Sequence, residues 1–151
     1  MKFNNGQYNF SKDIYTGVKG EVYIRVYLEK LGFVFIDICK DNRYDLKMSY
    51  LGKIYTYEIK TDVYPRDTGN LVIEFECRGK NSGINVTQAD YFTTYFPHLK
   101  EIWNIRCNIL KKLIQDTNPH IFSQSGDSGS NTKLYRLKKE EVRQYFKIHK
   151  L

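Results

Sequence analysis

The chain reads as an α/β domain with a central mixed β-sheet flanked by helices. Three observations predict it. Residues 14–31 carry apolar side chains at helical spacing. Strand-like runs rich in Tyr, Ile, Met and Thr lie on either side of Gly52, and residues 71–77 alternate strictly between apolar and polar. Helical and strand patterns then succeed one another to the C-terminus, the arrangement that places helices on the faces of a mixed sheet. At 151 residues the sequence fits one domain, and a chain of that size buries about 68–70% of its unfolded surface, enough for a core.

Taken in order, residues 1–13 form a polar arm with scattered aromatics, ordered by docking Phe3, Tyr8 and Phe10. The helix from Ile14 to Leu31 buries Ile24, Tyr27, Leu28 and Leu31, a face that Gly17 and Gly20 extend, and Gly32 stops it. Glu21 falls at the edge of this stripe, where it either needs a partner from elsewhere or pairs with Arg25 one turn on. Phe33 to Cys39 is a short apolar strand, and 40–44 a polar connection. Asp45 to Lys60 is a hairpin whose two-residue loop is Gly52-Lys53 or Leu51-Gly52; the second choice sets Asp45 opposite Glu58. A loop follows at 61–70, punctuated by Pro65 and Gly69. In the next strand Leu71, Ile73, Phe75 and Cys77 face the core and Glu74, Glu76 and Arg78 face away. Residues 78–83 make a basic loop. Thr87-Gln88-Ala89-Asp90 matches a capping box that opens a helix through Phe96, with Ala89, Phe92 and Phe96 inward and Pro97 ending it. Glu101 to Cys107 reads as a strand and Asn108 to Gln115 as a short helix; 123–131 is a Ser/Gly-rich flexible loop. Lys133 to Leu137 is a strand, and a basic helix runs from about Lys138 to His149.

Lys and Arg number 24 against 17 Asp and Glu, a net charge of +7, and 15% of the residues are aromatic. Such a surface suits a polyanion with stackable bases, although a solubilising charge excess explains it equally well. Cys39, Cys77 and Cys107 are odd in number and form no Cys-x-x-Cys pair, which excludes a disulfide framework and a thiolate zinc site. The first residues lack the apolar core of a signal peptide, and no stretch approaches the roughly 20 apolar residues of a membrane span, so a soluble cytoplasmic protein without membrane contact is expected. His98, His120 and His149 have no ligand spacing and read as structural.

The candidate site comes from strand parity. In either hairpin register Asp45, Glu58 and Lys60 project from one face of the sheet, and Tyr55, Tyr57 and Ile59 from the other. A Glu-x-Lys alone is an ordinary solvated pair. In the order Gly17-x-x-Gly20-Glu21 on a first helix, Asp45 at a strand start, and Glu58-x-Lys60 on the paired strand, however, the chain resembles the PD-(D/E)xK nuclease superfamily, the restriction-endonuclease-like fold. The run from Thr16 to Glu21 and on through Leu28 to Phe33 is most similar to archaeal-type Holliday junction resolvases and their viral relatives, which also implies a virus- or phage-encoded protein. The likeness spans residues 14–61. Tyr44 stands where the superfamily motif is named for Pro, and the C-terminal third has no counterpart.

The resemblance implies a structure-selective, metal-dependent DNA endonuclease, with a restriction-like endonuclease or an exonuclease of recombination, repair or degradation as alternatives. A non-catalytic DNA-binding or assembly protein on the same fold is the alternative of another class. It implies Mg²⁺, with Mn²⁺ able to substitute, held by Asp45, Glu58 and the backbone carbonyl of Ile59, and by Glu21 through water or a second ion; hard oxygen ligands suit that metal. Glu21, Asp45, Glu58 and Lys60 are the expected catalytic residues, and no small-molecule cofactor is expected. Branched or duplex DNA and a second copy of the chain are the expected partners. Arg43, Arg66, Arg78 and Lys80, in loops flanking the site, are candidates for phosphate contact, with Gln88 and Glu76 as lesser candidates to reach it.

Overall fold

The computed structural model describes residues 10–39, 41, 43–125 and 131–151. Residues 1–9 of the expected arm and 126–130 of the expected loop lie outside the described residues.

The first helix, α1, spans Phe10–Lys30 and so takes in residues 10–13 of the expected arm. It ends as its sequence requires: Gly32 at φ 98° lets its own N–H donate to Glu29 O at 3.0 Å and the Phe33 N–H donate to Leu28 O at 3.1 Å, satisfying carbonyls the helix leaves free. Ile24 and Leu28 are buried, but Leu31, expected on the same stripe, is 48% exposed. It follows the last helical residue, where the helical period no longer directs side chains.

Strands β1 (Val34–Ile38), β2 (Leu46–Tyr50) and β3 (Lys53–Thr61) form an antiparallel meander. Leu51 and Gly52 make the β2–β3 turn with φ of 50° and 78°, the double left-handed geometry that matches the twist of a hairpin. β4 (Asn70–Cys77) and the two-residue β5 (Lys80–Asn81) follow. Then come β6 (Tyr91–Phe96), β7 (Glu101–Arg106), α2 (Cys107–Thr117), β8 (His120–Ser125), β9 (Asn131–Lys138), the single turn α3 (Lys139–Val142) and β10 (Lys147–Lys150).

The strands build a mixed six-stranded sheet in the order β1-β2-β3-β6-β7-β10, in which β3 and β6 run parallel, and an antiparallel four-stranded sheet, β5-β4-β9-β8. On one face of the larger sheet α1 packs Ile24 and Leu28 against Leu46, Met48, Tyr57 and Ile59. On the other face Phe92, Phe96, Trp103 and Ile105 meet Leu71, Ile73 and Leu137 of the smaller sheet and Leu110 and Leu113 of α2. Each such large side chain contributes about 1.5–3 kcal/mol on burial.

Two expected helices are absent. Residues 91–96 are a strand: flanked by β3 and β7 and covered on both faces, it is an unbroken apolar and Thr run that carries no alternation and so imitates a helix. The capping-box residues serve other ends. Thr87 Oγ1 accepts from the Ala89 N–H at 3.2 Å, while Asp90 Oδ2 accepts from the Thr56 N–H at 2.9 Å. The expected C-terminal basic helix is one turn followed by β10, because the free edge of β7 pairs with 147–150. The flexible loop expected at 123–131 likewise loses its ends to β8 and β9, where residues 123–125 and 131 are strand. The three cysteines are free thiols. Among the described residues no helix is long and apolar enough to cross a membrane.

Candidate functional site

The β2–β3 turn is two residues long, so the register sums place Asp45 directly opposite Glu58. β2 stops at Leu46 while β3 runs on to Thr61. The last residues of β3 therefore pair with β6 on one side and face a gap on the other. Asp45 fills the start of that gap. Its N–H donates to Tyr57 O at 2.9 Å, and its Oδ2 accepts the Ile59 N–H at 2.7 Å, replacing the ladder bond that β2 no longer supplies. Because N–H and C=O of one strand residue point to the same side, the Ile59 carbonyl opens into this gap as well.

Glu58 is only 9% exposed. Its Oε2 accepts from Thr87 Oγ1 at 3.1 Å and its Oε1 lies 3.3 Å from the Lys60 ammonium. Burial, with the nearby Asp45 charge, raises its pKa above the ordinary carboxyl value against the opposing pull of Lys60 and Thr87. Burial opposes the charge of Lys60, but Glu58, Glu74 and Asp45 outweigh it, and the lysine pKa lies above its usual value.

Glu21, on α1, lies within electrostatic reach of this group. Arg25 does not neutralise it, since that guanidinium pairs with Glu29 at 2.7 Å and lies over the Phe35 ring at 3.6 Å. Burial first, then the charges of Asp45 and Glu58, push the Glu21 carboxyl up to about 7 despite Lys60. Gly20 makes the approach possible: a Cβ there would collide with Thr61 Oγ1, immediately after Lys60. The Thr61–Gly69 segment is held in turn by Lys139, whose buried ammonium meets Asp67 at 3.0 Å and the Phe96 ring centroid at 3.9 Å, and whose N–H donates to Gly69 O.

The structure thus brings together Asp45, Glu58 and Lys60, with Glu21 of α1 within their electrostatic reach. Arg43 lies two residues before Asp45 and is engaged by Asp41 at 2.8 Å. Arg66 sits in the loop after β3, exposed, above Tyr64. Arg78 lies in the exposed turn between β4 and β5, and Lys80 is the exposed first residue of β5, paired with Cys77 in the smaller sheet. Of the lesser candidates, Glu76 is paired with Lys133 at 2.9 Å, and Gln88 is exposed, its N–H bound to Arg43 O. Two residues near the site were not among the expected ones. Thr87 reads in the sequence as a helix cap, and Glu74 as a residue facing away from the core. Only the β3–β6 pairing and the fold of the smaller sheet bring them to Glu58 and Lys60.

Hard oxygen donors converge here, and the raised carboxyl pKa values mark a group that a cation would relieve. Among the described residues no three His, Cys, Asp or Glu side chains are gathered closely enough to ligate one ion directly. Two facing carboxylates and the Ile59 carbonyl could hold Mg²⁺, an ion commonly bound by one or two carboxylates while it keeps several waters. Comparisons of the chain with protein-family models, with curated proteins and with solved structures found no match.

Proposed function

We propose that the chain is a Mg²⁺-dependent deoxyribonuclease of the PD-(D/E)xK type, a structure-selective endonuclease similar to Holliday junction resolvases that acts on DNA as a homodimer. The observation that carries this reading is Asp45 facing Glu58 across the end of β2, with Lys60 on the same face and Glu21 of α1 within electrostatic reach. The edge strand β1, with Val34, Ile36 and Ile38 more than two-fifths exposed, offers an apolar surface to a second copy.

Asp45, Glu58 and the Ile59 carbonyl would hold the metal, with Glu21 acting through a water. Bound there, Mg²⁺ supplies a ligated water of lowered pKa and neutralises charge on the scissile phosphate. Lys60 remains cationic because three carboxylates surround it, so its part is to orient the attacking water and stabilise the negative charge that develops at phosphorus, rather than to take a proton. Thr87 fixes the Glu58 carboxylate through Oε2 and leaves Oε1 toward Lys60.

Cleavage of four-way junction, flap, duplex and single-stranded DNA with Mg²⁺ and Mn²⁺ tests the proposal. Asp45→Ala, Glu58→Ala and Lys60→Met should each abolish cleavage and leave DNA binding largely intact. Undiminished cleavage by Lys60→Met would overturn the assignment.

A further inference from the structure

Between the end of β3 and the smaller sheet lies a cleft of about 440 Å³, within the roughly 300–1,000 Å³ range of small-ligand sites. Lys60 and Thr94, neighbours in the β3–β6 register, form one wall. Asn70, Phe122, Gln124 and Arg136 form the other. By strand alternation Phe122 and Arg136 lie on the face of the smaller sheet opposite Leu71 and Ile73.

The lining carries polar groups that the fold leaves uncommitted. Thr94 is 4% exposed, and its hydroxyl has no hydrogen-bond partner among the described residues; an unmet buried group of this kind costs about 1–3 kcal/mol. The guanidinium of Arg136 makes no ion pair among the described residues and rests 4.4 Å above the Phe122 ring centroid. A flat aromatic face, amide and hydroxyl groups, and an uncommitted cation are what a nucleotide requires. Lys60 ties the cleft directly to the carboxylate group.

We propose that this cleft receives one nucleotide unstacked from the DNA strand, next to the phosphodiester bound at Asp45, Glu58 and Lys60. The base takes the ring face of Phe122 that Arg136 covers in the free protein, its edge meets the Thr94 hydroxyl and the amides of Asn70 or Gln124, and Arg136 turns to the adjoining phosphate. The cleft has room for one base and not for a paired duplex, so the substrate class is DNA in which the nucleotide beside the cleavage point is unpaired or easily extruded. This rests on the nuclease reading and narrows it.

The test uses oligonucleotides carrying 2-aminopurine, as single strands and as duplexes of the same sequence, bound in Ca²⁺ to the wild type, Phe122→Leu and Arg136→Gln. Mg²⁺-dependent cleavage by the wild type is measured alongside. Quenching of 2-aminopurine by the wild type is expected, with about tenfold weaker single-strand binding in both variants and duplex binding changed less than twofold. Unchanged single-strand affinity and quenching in the variants would overturn the cleft; if the wild type cleaves, the nuclease reading then survives alone. Cleft-dependent binding without cleavage of any DNA would instead sink the nuclease reading and leave a nucleotide site. Should Phe122→Leu unfold, as circular dichroism would reveal, Arg136→Gln at its exposed position decides the matter.

Discussion

Glu21 offers the sharpest check on the electrostatics of the site. Its carboxyl titrates near 7 in the folded chain against an ordinary value of 4.5, raised by burial and by Asp45 and Glu58. Below 4.5 it is protonated whether the chain is folded or not, and it contributes nothing to pH dependence. Between 4.5 and 7 the unfolded chain releases the proton that the folded chain retains, so stability falls as pH rises, and above 7 the loss is complete. At about 1.4 kcal/mol per tenfold change in proton affinity the ceiling is about 3 kcal/mol, and the water that reaches a half-buried side chain reduces this to about 1–2 kcal/mol. Glu21→Gln removes the titration while keeping the shape. Urea unfolding in EDTA from pH 4.5 to 8 should show the variant gaining on the wild type by that amount up to pH 7, with a level difference beyond. Parallel profiles for the two proteins would refute the claim that Glu21 faces the other carboxylates.

Three further outcomes are expected. Burial first, with Asp45, disfavours the Glu58 charge by more than Lys60 and Thr87 favour it, so without metal at pH 7.5 the neutral Glu58→Gln should be as stable as the wild type or about 1 kcal/mol more so. It should also lose the rise in Tm that Mg²⁺ gives the wild type; equal Mg²⁺ stabilisation of both would contradict a metal role for Glu58. Gly20→Ala drives a methyl into Thr61 Oγ1 and should cost about 1–3 kcal/mol in urea unfolding. Adding Thr61→Ala should recover about half of that, since Thr61 Cβ stays 3.2 Å from the new methyl; simple additivity would show that α1 does not rest on Thr61. Lys139→Ala should cost about 2 kcal/mol through lost stem packing and the broken Asp67 pair, and Lys139→Met less than half as much. The hydrogen bond from the Gly69 N–H and the partner Lys139 hold the Asp67 carboxyl below its usual range. The ion-pair part of that cost is thus present above pH 3.8 and fades as pH falls through the lower folded value, so Lys139→Met and wild type should converge in acid.

The sequence by itself determined what depends on near neighbours along the chain. Helical spacing and Gly32 delimit the C-terminal end of α1, and period-two alternation puts Asp45, Glu58 and Lys60 on one face whichever two-residue turn forms. It left two registers open, because Gly52 can occupy either turn position; the structure takes Leu51-Gly52, which sets Asp45 against Glu58. Residues 91–96 and 147–150 were illegible for a different reason. A strand buried on both faces carries no alternation, and an edge strand exists only where β7 offers it a partner. The rest of the site is a matter of long-range pairing. Thr87 meets Glu58 because β6 lies parallel to β3, Glu74 acts on Lys60 because β4 belongs to a second sheet, and Glu21 arrives because Gly20 lets α1 touch Thr61. Contacts between residues 14 to 41 positions apart are set by which sheet edges and helix faces can close together. That selection is made by the whole core at once, and no local pattern records it.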